Sequence, residues 1–161
     1  RDAYMKTKIL SLFIPLIIIT GWLFAGESDE NEIRNLIISS AEQQRKTKQS
    51  DRDEYSNKGA LEFWSSGGLI HEVGARGRPE KYDMINVFPK HINVISLIPG
   101  AAAVAMYYSE GALRPKGYAA VSHYMTRVTQ VFVRENGCWK VRASHWSPIQ
   151  GGSGTSQTAM E

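Results

Sequence analysis

One stretch near the end of the chain decides the fold: "RVTQVFVRENGCWKVRASHWSP", residues 127–148. Apolar and polar residues alternate on both sides of Asn136-Gly137, which is typical of strands whose two faces differ. Asn-Gly favours a type I′ hairpin turn, because both central residues of that turn need a positive φ. We therefore predict a strand over 124–134, a tight turn, and a last strand over 139–146.

A second hairpin is predicted before this one. "HINVISLI" alternates and ends at Pro99-Gly100, a dipeptide that favours chain reversal, and "AAAVAMYYSEG" supplies the partner strand. "LRPKGYAAVSH" then predicts a loop, because Pro115 cannot donate a hydrogen bond to a ladder. Further upstream, "LIHEVGA" predicts a short strand.

The first part of the folded chain predicts helices. Asp29 and Glu32 have the spacing of a helix start, and apolar residues recur at helical spacing from Ile33 onward. A first helix is therefore expected over 29–48.

A second helix is expected after a short break. Asp51 or Asp53 can cap its start, and it passes through Leu61 and Phe63. It stops at Gly67-Gly68, since two glycines favour chain reversal over continuation.

A short third helix is expected over 82–88, ending before Pro89. Helices thus come first and strands later, without βαβ alternation, which indicates an α+β domain. The predicted fold is a cone-shaped, curved antiparallel β-sheet with N-terminal helices packed over its concave face. It occupies residues 27–148, and a flexible Gly/Ser/Thr-rich tail is expected over 149–161.

Residues 1–26 are expected to be a secretory signal peptide rather than part of the fold. Lys6 and Lys8 precede an apolar run over 9–24, and the small residues Ala25 and Gly26 follow it. A membrane-spanning helix needs roughly 20 apolar residues, and this run is shorter. We expect export to the periplasm or secretion after cleavage, the alternative being a membrane anchor formed by residues 9–24. Residues 1–4 precede Met5 and are interpreted as an upstream translation artefact.

The charge of the chain argues against a nucleic-acid partner, and its cysteine content excludes an internal disulfide. The formal charge of +3 falls to +1 without residues 1–26, because these carry three basic residues and one acidic residue. No basic cluster remains that would indicate a nucleic-acid partner, and a membrane partner is expected only through an uncleaved N-terminal segment. Cys138 is the one cysteine, so no internal disulfide can form.

The last two hairpins resemble a known superfamily. "RVTQVFVRENGCWKVRASHWSP" resembles the C-terminal signature of the SnoaL-like branch of the nuclear-transport-factor-two superfamily, and "HINVISLIPGAAAVAMYYSEG" resembles its preceding hairpin. The association domain of calcium/calmodulin-dependent protein kinase type two is similar in fold. The resemblance covers about residues 29–148 and implies a pocket between helices and sheet. Its members include isomerases, cyclases, epoxide hydrolases, dehydratases and non-catalytic binding or assembly domains, so the resemblance does not assign an activity.

Three residues are candidates for catalysis. Alternation places Arg127 with Val131 and His145 with Val141. If those faces are the inner ones, Arg127 can accept an anion and His145 can act as an acid or base. His71 is the third candidate. This hypothesis is a lyase or isomerase acting on a small organic substrate, and the alternative is a paired, structural arginine and histidine.

Carboxylates argue against two mechanisms that the resemblance suggests. Its proton-transfer isomerases depend on pocket carboxylates, and its epoxide-hydrolysing members use an Asp–Arg–Asp set. The predicted strands contain no Asp, and their carboxylates are Glu72, Glu110 and Glu135.

The first hypothesis is therefore a domain that binds a small organic ligand or serves assembly. Aromatic and amide side chains can line an apolar ligand site, and the candidates are Trp64, Tyr107, Tyr124, Gln130 and Trp146. Where the resemblance to the kinase association domain implies the arginines of its cavity, this chain has Gln130 and Trp146 instead, so the resemblance does not extend to an arginine-lined cavity. No metal site is predicted, because metal-ligand spacings are missing, and no cofactor is expected. A homodimer is expected, because the open face of such a sheet needs cover.

Overall fold

The computed structural model describes residues 28–51, 54–77, 79–149, 152 and 154. In these residues one helix, α1, spans 28–47 and is followed by six strands. The strands are β1 Ala60–Phe63, β2 His71–Val73, β3 Tyr82–Ile98, β4 Ala102–Pro115, β5 Val121–Glu135 and β6 Cys138–Pro148. The predicted signal peptide over 1–26 and most of the predicted tail lie outside the described residues. No helix in the described part of the chain is long and apolar enough to cross a membrane.

The six strands form one curved, open sheet in the order β2-β1-β6-β5-β4-β3. All neighbours pair antiparallel except β1 and β6, which pair in parallel. One helix packed against such a sheet is an α+β architecture. The predicted fold class is therefore confirmed, with one helix in the described residues rather than several.

Both predicted hairpins are confirmed. β3 and β4 meet at Pro99-Gly100, where Gly100 has a φ of 72°. β5 and β6 meet at Asn136-Gly137, where φ is 52° and 81°, as a type I′ turn requires. The short strand predicted from "LIHEVGA" is β2.

The predicted second helix is wrong, because residues 60–63 form β1. In this strand Ala60 and Glu62 are buried while Leu61 and Phe63 are exposed, a period of two rather than of a helix. The parallel pairing with β6 at Leu61–Ala143 is a long-range contact. Hydrogen bonding to a distant strand has overridden the local helix signals.

The predicted third helix is also wrong, because residues 82–88 are the first half of β3. The ladder with β4 extends from Ile98–Ala102 back to Tyr82–Pro115. Part of the predicted 113–123 loop is therefore strand. Pro115 is tolerated because it sits at the last position of β4, where a ladder donor is dispensable.

The core lies between α1 and the inner face of the sheet. Ile33 and Ile37 project from α1 onto Val128 and Phe132 of β5, and all four side chains are buried. Ala103 and Ala105 of β4 belong to the same apolar cluster and are fully buried. Small side chains at these positions let the helix approach the sheet closely.

The start of α1 is fixed by a polar anchor. Asp29, which is buried, accepts a hydrogen bond from the Gly100 backbone N–H at 2.6 Å. Arg134 pairs with Asp29 at 3.3 Å and with Glu32 at 3.0 Å. The anchor joins the helix to the β3–β4 turn and to the end of β5.

Two of the irregularities in the sheet lie in β4 and β6. Gly111 in β4 has a φ of 150°, and a Cβ built there would lie 2.0 Å from the Asn86 carbonyl oxygen, so only glycine fits. In β6, Val141 pairs with Phe132 and Ala143 pairs with Val131, which leaves Arg142 as an extra residue. Such a bulge shifts every following side chain to the other face.

Candidate ligand-binding site

A cavity of about 480 Å³ lies between α1 and the inner face of the sheet; we call it the main cavity. Leu36 and Ile37 contribute from the helix, and Val87, Phe132 and Val141 contribute from the sheet. Polar side chains also line it, among them Gln44, Glu54, Ser109 and Gln130. Apolar surface combined with polar groups is typical of sites for small organic molecules.

Three of the predicted ligand-binding residues form a contact group in the wall of this cavity. The Tyr107 hydroxyl donates a hydrogen bond to Gln130 Oε1 at 2.8 Å. The Tyr107 ring meets Trp146 edge to face, with 6.2 Å between ring centroids. Burial raises the pKa of the Tyr107 hydroxyl well above its ordinary value, so it stays a neutral donor.

The side-chain amide of Gln130 is a buried polar group in the wall of the main cavity. The side chain is 4% exposed and lines the main cavity. Its carbonyl oxygen is used by Tyr107, whereas its amide nitrogen has no hydrogen-bond partner among the described residues. Because the residue lines the main cavity, its amide nitrogen is available to a ligand acceptor there.

A smaller cavity of about 110 Å³ adjoins the main cavity; we call it the recess. The two share four lining residues, namely Gln44, Glu54, Gln130 and Trp146. Trp64 and Tyr124, the remaining predicted ligand-binding residues, line the recess. The structure thus brings all five predicted residues to one connected site, while ligand binding itself stays a prediction.

Three carboxyl groups converge on the recess: Glu54, Glu62 and Glu80. Glu62 Oε1 accepts a hydrogen bond from Ser144 at 2.6 Å, and Glu62 Oε2 accepts one from the Trp64 indole at 3.2 Å. The Glu80 carboxyl accepts a hydrogen bond from the Tyr82 hydroxyl. Glu62 and Glu80 are therefore held in fixed orientations.

Glu54 differs from its two neighbours. Its carboxyl group has no hydrogen-bond donor in the described part of the chain, and it lines both cavities. Burial, together with the charges of Glu62, Asp51 and Glu80, raises the pKa of Glu54 to about 8. Glu54 is therefore mostly protonated at neutral pH.

Glu80 is perturbed in the same direction. Burial raises the pKa of Glu80, while the hydrogen bond from Tyr82 and the nearby His71 act in the opposite direction. Two of the three carboxyl groups thus resist ionisation, because burial disfavours the charged form and neighbouring like charges add to that effect.

The predicted catalytic residues Arg127 and His145 lie elsewhere. Both are exposed on the outer face of the sheet. Arg127 donates a hydrogen bond to the Ser147 hydroxyl at 2.9 Å, and the His145 ring packs against Phe63 with 5.5 Å between centroids. The two residues share a face of the sheet, but this face is turned away from the cavities. The catalytic hypothesis required that face to be the inner one, and this condition is not met.

The bulge at Arg142 explains why alternation misplaced the faces of β6. The sequence pattern groups Trp139 and Val141 with His145, whereas the structure turns Trp139, Val141, Ser144 and Trp146 inward. On β5 the inner set runs from Tyr124 to Phe132 in steps of two, and Arg127 falls between its members.

His71, the third predicted catalytic residue, is half-buried on the edge strand β2. Its ring lies 4.7 Å from that of Trp64, centroid to centroid, so it stands behind a wall of the recess rather than in the wall. Its influence on Glu80 is electrostatic.

Sequence reasoning missed the three carboxyl groups because it searched only the predicted strands. Glu54 and Glu80 come from irregular segments, and Glu62 lies in a segment predicted to be helical. The alternation in "ALEF" was the one local signal that could have placed Glu62 on a strand face.

Comparisons with known proteins concern the fold and not the chemistry of this site. No protein-family model matches the chain, and no curated protein is significantly similar to it in sequence. Among solved structures, the chain is similar to an NTF2-like protein of unknown function from Pseudomonas putida KT2440. That likeness has a TM-score of 0.49 at 20% identity, covering 75% of this chain and 87% of the other.

Proposed function

We propose that this protein is a small-molecule-binding domain of the helix-over-sheet class, whose ligand occupies the main cavity. The observation that carries the proposal is a cavity of about 480 Å³ that is lined by both apolar and polar side chains, among them the buried Gln130. Packed protein interiors leave few voids larger than a water molecule. A cavity of this size in a domain core is therefore a feature that needs an occupant or a function.

The arrangement of polar groups supports binding of an organic molecule. Tyr107 fixes Gln130 through its carbonyl oxygen and so aims the amide nitrogen at the cavity. Leu36, Ile37 and Phe132 provide the apolar surface. One directed polar contact within an apolar enclosure is a common basis of ligand specificity.

Mass spectrometry of small molecules retained by the purified protein tests this function. We expect a reproducible ligand from the wild type and loss of it from Ser109→Phe, because Ser109 is buried in the cavity wall and a ring there fills the space. Ser122→Phe is the matched control, since Ser122 is exposed on β5. A wild type without any retained molecule, or equal retention by both variants, contradicts the proposal.

A second candidate function is an enzyme of the lyase or isomerase type, with Glu54 rather than Arg127 and His145 as its acid or base. The observation that favours it is a carboxyl group with a pKa of about 8 inside the site, where a protonated acid is available at neutral pH. The test is to incubate the retained ligand with fresh protein and follow it by NMR. Conversion by the wild type but not by Glu54→Gln indicates catalysis, and an unchanged ligand favours simple binding.

Export and self-association complete the proposal. Residues 1–26 have the pattern of a signal peptide, and N-terminal sequencing of the secreted or periplasmic protein checks cleavage near residue 26.

The outer face of β3 and β4 exposes Ile95, Leu97, Met106 and Tyr108. An exposed apolar strip of this kind supports a homodimer through the sheet.

A further inference from the structure

We propose that the ligand of the main cavity is an organic ammonium ion, whose charged nitrogen enters the recess between Glu54 and Glu80. This inference rests on the proposed binding function and adds the chemical class of the ligand. It places the apolar body of the ligand against α1 and β5.

The acidic side chains of the recess point to a cation, whose positive charge would favour their ionised forms. Its described lining includes three carboxyl groups, Glu54, Glu62 and Glu80, and no lysine, arginine or histidine. Removing a carboxylate from water is costly unless a positive charge or hydrogen bonds compensate for it. A ligand cation in the recess supplies both to Glu54.

The walls of the recess suit an ammonium group. Trp64 and Trp146 stand with Tyr55, Tyr82 and Tyr124 around the carboxyl groups. Aromatic faces attract cations through the ring quadrupole, most strongly when the cation has lost its water. Carboxylates within an aromatic enclosure therefore complement a charged nitrogen that carries N–H donors.

Two unpartnered polar groups aim into this space. The Glu54 carboxyl group accepts no hydrogen bond from any described residue, while Glu62 and Glu80 are already engaged. The buried Gln130 amide also lines the recess, and its nitrogen lacks a partner there. Both groups stand where the recess meets the main cavity, which is where a bound ligand would pass from one to the other.

An organic ion fits better than a metal ion. Within the described ranges, no group of three or more His, Cys, Asp or Glu side chains is arranged to hold a metal. Metal sites also need several oxygen ligands at short range, whereas Glu62 and Glu80 are committed to Ser144, Trp64 and Tyr82. The recess of about 110 Å³ opens onto an apolar cavity four times larger, which suits an amine with an apolar body.

Binding of a matched pair of probes to the full chain tests the inference. Phenylbutylamine carries the ammonium group, and phenylbutanol is its neutral analogue of similar size and shape. Affinities are measured by isothermal titration calorimetry at neutral pH, with Trp64 and Trp146 fluorescence as a second readout. We expect the amine to bind at least about tenfold more tightly than the alcohol, since an ion pair and cation–π contact act only on the amine.

Variants locate the preference. Glu54→Gln and Glu80→Gln should each reduce the preference for the amine over the alcohol several-fold. Glu72→Gln removes the same charge from an exposed position on β2 and should keep wild-type preference. Circular dichroism confirms that each variant is folded.

The outcomes separate the two proposals. If the alcohol binds as tightly as the amine, or if Glu54→Gln and Glu80→Gln keep the full preference, the ammonium inference is overturned and the binding function stands. If neither probe binds and the purified protein retains no small molecule, both proposals fail.

Discussion

The raised pKa of Glu54 predicts that removal of this carboxyl group stabilises the protein at alkaline pH. In the unfolded chain Glu54 loses its proton near its ordinary value of 4.5, whereas in the folded protein it does so near 8. Between these two values the folded state holds a proton that the unfolded state has lost. The contribution of Glu54 to the free energy of unfolding is therefore most favourable below pH 4.5. It falls as the pH rises and reaches its lower limit above about pH 8.

The magnitude follows from the two pKa values. At about 1.4 kcal/mol for each pH unit, the interval from 4.5 to about 8 corresponds to at most about 5 kcal/mol. Asp51, Glu62 and Glu80 act on the same proton, and water can enter a site that lines two cavities. We therefore expect Glu54→Gln to recover about half of that amount, roughly 2–3 kcal/mol. In a domain of this size this corresponds to roughly 10 °C in Tm.

Thermal unfolding from pH 5 to pH 9 measures this effect. The Tm of Glu54→Gln should lie close to that of the wild type at pH 5, and the difference should widen to roughly 10 °C at pH 9. Glu72→Gln is the control at an exposed position and should follow the wild type. A difference that does not grow with pH, or that Glu72→Gln reproduces, would refute the assignment of a raised pKa to Glu54.

Three further predictions concern stability and assembly. Arg134→Met should destabilise the fold by about 2 kcal/mol in urea unfolding, because it removes the ion-pair partner of the buried Asp29. As the control, Lys90→Met breaks an exposed ion pair and should cost under about 0.5 kcal/mol. Equal losses of stability in the two variants would contradict the role of the polar anchor. Gly137→Ala, at a φ of 81°, should cost about 1 kcal/mol, and an unchanged unfolding midpoint would count against the type I′ turn. Met106→Glu on the exposed strip should convert a dimer to a monomer in light scattering after gel filtration, and a wild type that is already monomeric disproves the dimer.

The sequence allowed the β hairpins to be predicted because their signals are local. Asn136-Gly137 and Pro99-Gly100 are turn dipeptides flanked by alternating residues, and the structure places a reversal at each. The helix start at Asp29 was also readable, because the capping and apolar spacings lie within a few residues. The segments over 60–63 and 82–88 were misassigned because their strand state depends on partners far along the chain.

The candidate site was predicted in part. Tyr107, Tyr124, Gln130 and Trp146 were found because they are bulky or polar residues on predicted strands, and they do line the cavities. Alternation grouped Arg127 with Val131 and His145 with Val141, and the catalytic hypothesis depended on those faces being the inner ones. For Arg127, alternation along β5 was regular but did not tell which of its two faces looks inward. For His145, the bulge at Arg142 reverses the face, and nothing in the residues around Arg142 identifies that bulge.

By itself, therefore, the sequence determined the first helix, the last two hairpins with their turns and the α+β class, since each depends on residues close together in the chain. Only the tertiary structure decided which face of the sheet looks inward and that Glu54, Glu62 and Glu80 meet in one recess. The physical reason is that an unsuspected bulge reverses the faces of a strand, and that a shifted pKa depends on charges brought together through space.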